Sequence, residues 1–303
     1  MLRNEKILIT GPASQVALPV ARVLAADNEV HGLARFGKEA DRERVAALGV
    51  ACIALDLAED SFDAVPDDFT VVLHFAVVKS GDFEYDLAAN AEGTGRLMSH
   101  CRKARAFLHC SSGGVYAHQG PKHPAKEGDA LGDNHAGMLP TYSICKIAAE
   151  TMARFGARQW KLPTVITRLS VPYGDNGGWP WFHLMMMKAG RPVPVHADAP
   201  SVFNPLHEDD YIRQLPRMLE AASVPATVVN WGGDEQVSVE EWCAYLGELT
   251  GFEPKFAETD ATVGALPVDL TRMHELVGGT EVSWKDGIRR LVLSLAPDLL
   301  RTS

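Results

Sequence analysis

Over the first 170 residues, short apolar runs alternate with helical windows, and this alternation restricts the fold more than any other feature of the chain. Runs at 6–10, 29–33, 50–54, 70–75, 106–110 and 164–168 read as strands, and windows near 15–26, 39–48, 84–104 and 141–160 read as helices. A chain that repeats strand and helix in this way builds a parallel sheet with helical crossovers. Runs such as Val71-Val72-Leu73 carry no polar alternation, as expected of strands covered on both faces. Residues 1–171 are therefore predicted to form a doubly wound α/β domain with ligands at the carboxyl ends of its strands. Beyond residue 172 the elements shorten and become rich in Pro, Trp and Met, although 225–230 reads as one more strand of the main sheet. Residues 172–303 are expected to form mostly a smaller, discontinuous substrate-binding lobe. The stretch from Ala117 to Leu139 is too long for a simple connection and reads as a lid, with His118, His123 and His135 solvated on it.

Composition narrows the class. A chain of 303 residues, 46% hydrophobic, can bury the core of one α/β domain or of a large lobe plus a small one. A formal charge of −10 without a basic block leaves no electrostatic footprint for nucleic acid. The five cysteines, at 52, 101, 110, 145 and 243, form no paired spacing and read as free thiols of a reducing compartment. The N-terminus enters a strand without an apolar leader, and no run is long enough to span a bilayer, so a cytoplasmic protein with no membrane partner is expected.

Chemistry enters with Tyr142-Ser143-Ile144-Cys145-Lys146. Residues four apart share a helix face, and an ammonium beside a phenol is expected to draw its pKa from about 10 toward the working pH. Upstream, Phe107-Leu108-His109-Cys110-Ser111-Ser112-Gly113-Gly114-Val115-Tyr116 reads as a strand ending in hydroxyl and glycine residues. Lys6-Ile7-Leu8-Ile9-Thr10-Gly11-Pro12-Ala13-Ser14-Gln15-Val16-Ala17 reads as strand, tight turn and helix. Taken in order, these segments resemble the extended short-chain dehydrogenase/reductase family, the NAD-dependent epimerase/dehydratases. The likeness continues through Leu55-Asp56-Leu57, Leu73-His74-Phe75-Ala76, Asn90-Ala91-Glu92-Gly93-Thr94, Arg168 to Tyr173-Gly174 and His207-Glu208-Asp209-Asp210. It ends with Val229-Asn230-Trp231-Gly232-Gly233 ahead of Ser238-Val239-Glu240-Glu241.

The resemblance implies a Rossmann sheet and a catalytic set of Ser112, Tyr142 and Lys146. Tyr142 is the general acid/base, Lys146 lowers its pKa and binds the nicotinamide ribose, and Ser112 orients and polarises the substrate oxygen. The three glycine positions of the family's first turn are Gly11, Ser14 and Ala17 here. Ser14 either donates a hydroxyl hydrogen bond to phosphate at the helix N-terminus or marks a degenerate loop, and Gln15 follows it in the same turn. Ala34 stands where an NAD enzyme keeps its ribose-binding carboxylate, and the Arg35 guanidinium beside it suits a 2′-phosphate. NADP is accordingly the expected cofactor, with NAD the alternative if Arg35 stacks on adenine or is solvated. Asp56 either accepts from the adenine amino group or caps a helix, and Leu57, Phe75 and Ala76 complete the cofactor wall.

For the substrate the resemblance points to Ser112, Gly113, Trp179 and Phe203. Phe203 lies four residues before His207, where nucleotide-sugar relatives usually carry an Arg, and Gly113-Gly114 stands where dehydratases favour Asp-Glu. The Trp179, Trp181, Phe182 and Met185-Met186-Met187 run is either core or substrate lining. Asn90 is read as bonding a neighbouring backbone, and Asp209 or Asp210 as a helix N-cap; no metal is expected. These readings make the protein an NAD(P)-dependent oxidoreductase moving a hydride between nicotinamide and a secondary alcohol or ketone of a small, partly apolar substrate. The alternatives are an NAD-dependent epimerase and, from another class, a non-catalytic dinucleotide-binding regulator. A homodimer through helices near 84–104 and 141–160 is expected from the family.

Overall fold

The structure is a computed structural model and describes residues 2–301. Its main sheet has strands β1 (Lys6–Thr10), β2 (Glu29–Ala34), β3 (Ala51–Ala54), β4 (Val71–His74), β5 (Ala106–Ser112) and β6 (Thr164–Leu169), and a seventh, Thr227–Trp231. The order across the sheet is β3-β2-β1-β4-β5-β6 followed by Thr227–Trp231 at the far edge. β1 pairs in parallel with both β2 and β4, with Ile9 opposite Gly32 on one side and Leu73 on the other. The pairs β2–β3 and β4–β5 are parallel as well. Every residue of the central strand β4 is buried, which explains its unbroken apolar run.

The crossover helices form where the windows predicted them. α1 (Ala17–Leu24) buries Ala17, Val20, Ala21 and Leu24 on one face and leaves Arg22 exposed. Pro19 is tolerated there because a first-turn N–H has no intrahelical partner to lose. α2 spans Glu39–Ala46, and the second long window, 141–160, becomes α5 (Tyr142–Trp160). The window 84–104 is not a single helix. It is α3 (Phe83–Leu87), a π turn at Ala88–Glu92, and α4 (Gly93–His100). The wider turn surrounds Asn90, whose side-chain amide donates to the carbonyls of Val78 and Asp86 at 2.8 and 2.7 Å, while its oxygen accepts from Val78 N at 2.8 Å. The sheet core gathers Leu8, Leu33, Val72, Leu97, Met98, Phe107, Ala153 and Ile166.

The chain divides into two compact units. The first comprises Met1–Ser112, Leu139–Arg168 and Arg213–Val229; the second comprises Gly113–Met138, Leu169–Ile212 and Asn230–Ser303. The second unit contains helices Trp179–Lys188, Val239–Thr250 and Trp284–Leu295 with short two- and three-stranded sheets. A capping box between Ser238 and Glu241 starts the second of these helices. Residues 117–138 are stitched into this unit: Ala125 N donates to Pro267 O at 2.9 Å, and Glu127 accepts from Asn230 N at 2.9 Å. The Tyr116 hydroxyl donates to Asn230 Oδ1. The five cysteines are free thiols, four of them buried. Among the described residues no helix is long and apolar enough to cross a membrane.

Candidate active site

β1 and β4 are neighbours although the chain leaves β1 for β2 and β3 first, so strand order reverses between them and opens a crevice at their carboxyl ends. Gly11 begins the turn there at φ +64°, and a Cβ on it would lie 3.0 Å from Ala76 Cα. Only glycine keeps both the left-handed backbone and that close approach. The two strand ends are tied by Thr10 Oγ1, which meets His74 Nδ1 at 2.7 Å and accepts from Ala76 N at 3.0 Å. Ser14 is exposed, and its Oγ accepts from Ala17 N at 3.2 Å, which lays the side chain back against the start of α1. Its hydroxyl proton has no acceptor among the described residues. Gln15 beside it is partly covered, Phe75 is buried, and Leu57 belongs to the sheet core.

At the ends of β2 and β3, Arg35 Nη1 donates to the Tyr85 hydroxyl at 2.7 Å, and that hydroxyl donates to Asp56 Oδ2 at 2.6 Å. Asp56 Oδ1 accepts from Ala58 N at 2.8 Å, which closes an Asx turn; no helix follows, so the helix-cap alternative for Asp56 does not hold. A glycine turn with room only for backbone, a hydroxyl at a helix N-terminus and an exposed guanidinium together suit a phosphate-bearing dinucleotide.

The acid/base candidates lie where β5 ends beside α5. Successive strand residues point to opposite faces, so Ser111 and Ser112 have different partners. Ser112 is hydrogen-bonded to Tyr142, whereas Ser111 donates to Glu150 Oε1 at 2.6 Å. Lys146 sits one turn beyond Tyr142, is 5% exposed, and donates from Nζ to Cys110 O at 2.6 Å. Glu150, a further turn along, accepts from Arg168 Nε at 2.9 Å and Nη2 at 2.8 Å in a fully buried ion pair. Sequence reasoning missed this pair, although Glu150 continues the four-residue spacing of Tyr142 and Lys146. The N-terminus of α5 is held by Thr141, whose hydroxyl donates to the buried Asp86 carboxylate at 2.6 Å.

The electrostatics correct one expectation. Burial pushes the Tyr142 phenol up to about 12, with the Ser112 hydrogen bond pulling the other way and Cys110 adding to the rise. Lys146 was expected to lower it; its Nζ donates one hydrogen bond to the Cys110 carbonyl, and burial holds its own pKa below the ordinary value. Desolvation dominates the phenol, and Tyr142 stays protonated at neutral pH.

In the second unit, Gly113 and Gly114 open a 3-10 turn, Gly113–Val115. A side chain at Gly113 would begin 3.2 Å from Leu266, and one at Gly114 would run into the His135 ring. His135 is 7% exposed, which overturns its placement as a solvated loop residue. His118 and His123 are exposed, paired with Asp198 and Asp129. Phe203, predicted to line the substrate, is buried at 3% exposure, edge-on to Trp179 at 5.3 Å and 6.3 Å from Trp242. Trp179 is half-buried. The expected aspartate N-cap is also corrected. His207 Nδ1 accepts from Asp209 N at 3.2 Å at the head of helix Glu208–Glu220, while Asp210 accepts from Glu281 N and Val282 N and Asp209 pairs with Arg290.

The model of the NAD dependent epimerase/dehydratase family matches residues 7–232. A trifunctional UDP-glucose 4,6-dehydratase/UDP-4-keto-6-deoxy-D-glucose 3,5-epimerase/UDP-4-keto-L-rhamnose-reductase of Arabidopsis thaliana is 25% identical over 319 aligned positions, 95% of this chain. This chain spans only 46% of that relative's length. The dTDP-D-glucose 4,6-dehydratase of Homo sapiens is 25% identical over 73% of this chain and 67% of its own. Among solved structures, UDP-glucuronic acid 4-epimerase from Bacillus cereus, in complex with UDP-glucuronic acid and NAD, matches with a TM-score of 0.81 at 21% identity, covering 95% of this chain and 98% of that one. UDP-N-acetylglucosamine 4-epimerase from Methanobrevibacter ruminantium matches at 0.83 with 14% identity, covering 98% and 100%. At such identities the likeness is one of fold.

Proposed function

The chain belongs to the NAD-dependent epimerase/dehydratase family, and on that premise we propose that it is an oxidoreductase acting on a secondary alcohol or ketone of a small, partly apolar substrate. The observation that carries this reading is the hydrogen bond between Ser112 and a protonated Tyr142 with Lys146 one turn beyond. A bound nicotinamide dinucleotide supplies or takes up the hydride. In the reducing direction Tyr142 gives its proton to the carbonyl oxygen, and the Ser112 hydroxyl holds that same oxygen. Lys146 offsets the phenolate charge left behind and holds the nicotinamide ribose. Gly11, Ser14, Gln15, Asp56, Leu57, Phe75 and Ala76 form the cofactor wall, and Arg35 selects NADP by gripping its 2′-phosphate. NAD, which the Bacillus cereus epimerase structure contains, is the alternative. The first unit is assigned to the dinucleotide and most of the second to the substrate.

Phe203 puts a buried ring where nucleotide-sugar relatives hold a guanidinium, which supports a non-nucleotide substrate. Gly113-Gly114 supplies no acid pair after Ser112, and the His135 ring lies where a side chain at position 114 would begin, which supports a reaction without water elimination. The epimerase reading uses the same hydride step internally and is favoured by the names of the relatives. We assign the protein to the cytoplasm and propose a homodimer through the 84–104 segment (α3 to α4) and α5, the dimer being supported by Ile144 and Phe155, which α5 leaves 39% and 51% exposed.

Tyr142→Phe tests the chemistry. With a panel of secondary alcohols, ketones and sugar nucleotides followed by nicotinamide absorbance, the variant should lose about 10²–10⁴-fold in turnover. Its dinucleotide affinity should stay within about twofold, because only the proton-carrying oxygen is removed. Turnover within a few-fold of wild type removes Tyr142 from the mechanism. Weakly held, exchangeable NADP(H) supports the reductase, and tightly retained NAD supports the epimerase.

A further inference from the structure

The hydrogen-bond chain from Arg35 through Tyr85 to Asp56 has a fixed polarity. A guanidinium can only donate and a carboxylate can only accept, so the phenol must accept from Arg35 and give its own proton to Asp56. Burial raises the Tyr85 pKa, and the hydrogen bond to Asp56 raises it further, so the phenol keeps that proton at neutral pH. The Arg35 Cζ lies 5.8 Å from the Tyr85 ring centroid, so the guanidinium is fixed at the hydroxyl as well as facing the ring.

The two ends of this contact differ in rigidity. Tyr85 rises from a backbone held on several sides. Asp82 Oδ1 accepts from Glu84 N and Tyr85 N at 3.0 and 3.2 Å, Asp86 accepts from Ser80 and Gly81, and Asn90 holds both backbone groups of Val78. Arg35 lies just past β2 and is exposed, with a long side chain that has many rotamers to lose. Only its Nη1 has a partner among the described residues, which leaves Nε and Nη2 as a fork. A guanidinium with one corner tied keeps Nε and Nη2, the planar pair of donors that matches a phosphate edge.

We propose that Tyr85 is a specificity-determining residue of the dinucleotide site, holding Arg35 in the orientation that grips a phosphomonoester on the adenosine ribose. This rests on the reading of Arg35 as the 2′-phosphate partner given above. Tyr85 reaches the ligand through Arg35 and is a positioning residue. Its hydroxyl removes, before binding, the rotamer freedom that Arg35 otherwise loses on gripping the phosphate.

Calorimetric titration of wild type, Tyr85→Phe, Arg35→Ala and the double variant with NADP⁺, NAD⁺ and adenosine 2′,5′-bisphosphate tests this. Tyr85→Phe should weaken NADP⁺ and the bisphosphate by about three- to tenfold while NAD⁺ stays within about twofold. In the Arg35→Ala background the same change should have no further effect, because the residue it positions is gone. The NAD⁺ titration also shows that each variant still folds its site. Equal losses for both dinucleotides would mean that Tyr85 shapes the adenosine end generally. Tighter NADP⁺ binding would mean that it holds Arg35 away from the phosphate. Either result overturns the proposal while Arg35→Ala still reports on Arg35 itself. A wild-type protein that binds the bisphosphate no better than ADP overturns the Arg35 reading, and the role of Tyr85 with it.

Discussion

At the scale of single residues, Ser14 departs most from what a dinucleotide turn ordinarily carries. Its side chain does not fill the turn; it folds back to accept from Ala17 N and leaves its proton available at the N-terminus of α1. A hydroxyl so placed adds a donor to a phosphate without blocking the backbone. Ser14→Gly is therefore expected to weaken dinucleotide binding by about 0.5–1.5 kcal/mol, the value of one hydrogen bond. The cost to folding should be only a few tenths of a kcal/mol, since glycine substitutes well near a helix start. Tighter binding of the variant in calorimetry would show instead that the side chain obstructs the pyrophosphate.

Among elements, α5 connects the chemistry to the sheet. Tyr142, Lys146 and Glu150 follow one another at single-turn spacing, and each meets a different partner: Ser112, the Cys110 carbonyl, and Arg168 with Ser111. The Glu150–Arg168 pair joins α5 to β6, and Ser111 joins the same carboxylate to β5. Removing one member of a buried pair leaves the other charged and unpaired, which costs about 3–5 kcal/mol. Glu150→Ala should lose stability by that amount in urea denaturation; a loss below about 1 kcal/mol would show that Arg168 finds other partners at no cost. The helix window 84–104 was legible as helical but not as broken, because apolar periodicity reports a face and cannot register a turn widened around the Asn90 amide.

Across the whole molecule, acid should act through buried histidines. Burial lowers His74 to about 3 and His183 to about 4, and holds His109 well below the ordinary imidazole value. Unfolded imidazoles titrate near 6.5, so below that pH the unfolded chain binds protons that the folded protein refuses. The stability these groups contribute is complete above about pH 6.5 and falls as pH drops toward their folded values, by up to about 1.4 kcal/mol per pH unit for each. His109 has neither ring nitrogen hydrogen-bonded among the described residues. His109→Leu should thus equal or exceed wild-type stability at pH 8 and make the acid slope shallower in melts taken from pH 8 to 4.5, the remainder coming from His74, His183 and the similarly lowered His207. An unchanged slope would mean that His109 is not held neutral in the folded protein.

What the sequence by itself determined is what short-range periodicity encodes. Apolar runs located the six strands to within a residue or two, and a four-residue spacing put Tyr142 and Lys146 on one helix face, because both patterns are written in neighbouring residues. The tertiary structure alone decided which partners those residues meet. Strand order brings Arg35 to Tyr85 and Glu150 to Arg168, the fold of the 113–138 segment sets His135 against Gly114, and no local pattern specifies either. The state of Tyr142 belongs to the same class: spacing to Lys146 suggested a lowered pKa, but desolvation depends on every atom that surrounds the phenol and raised it.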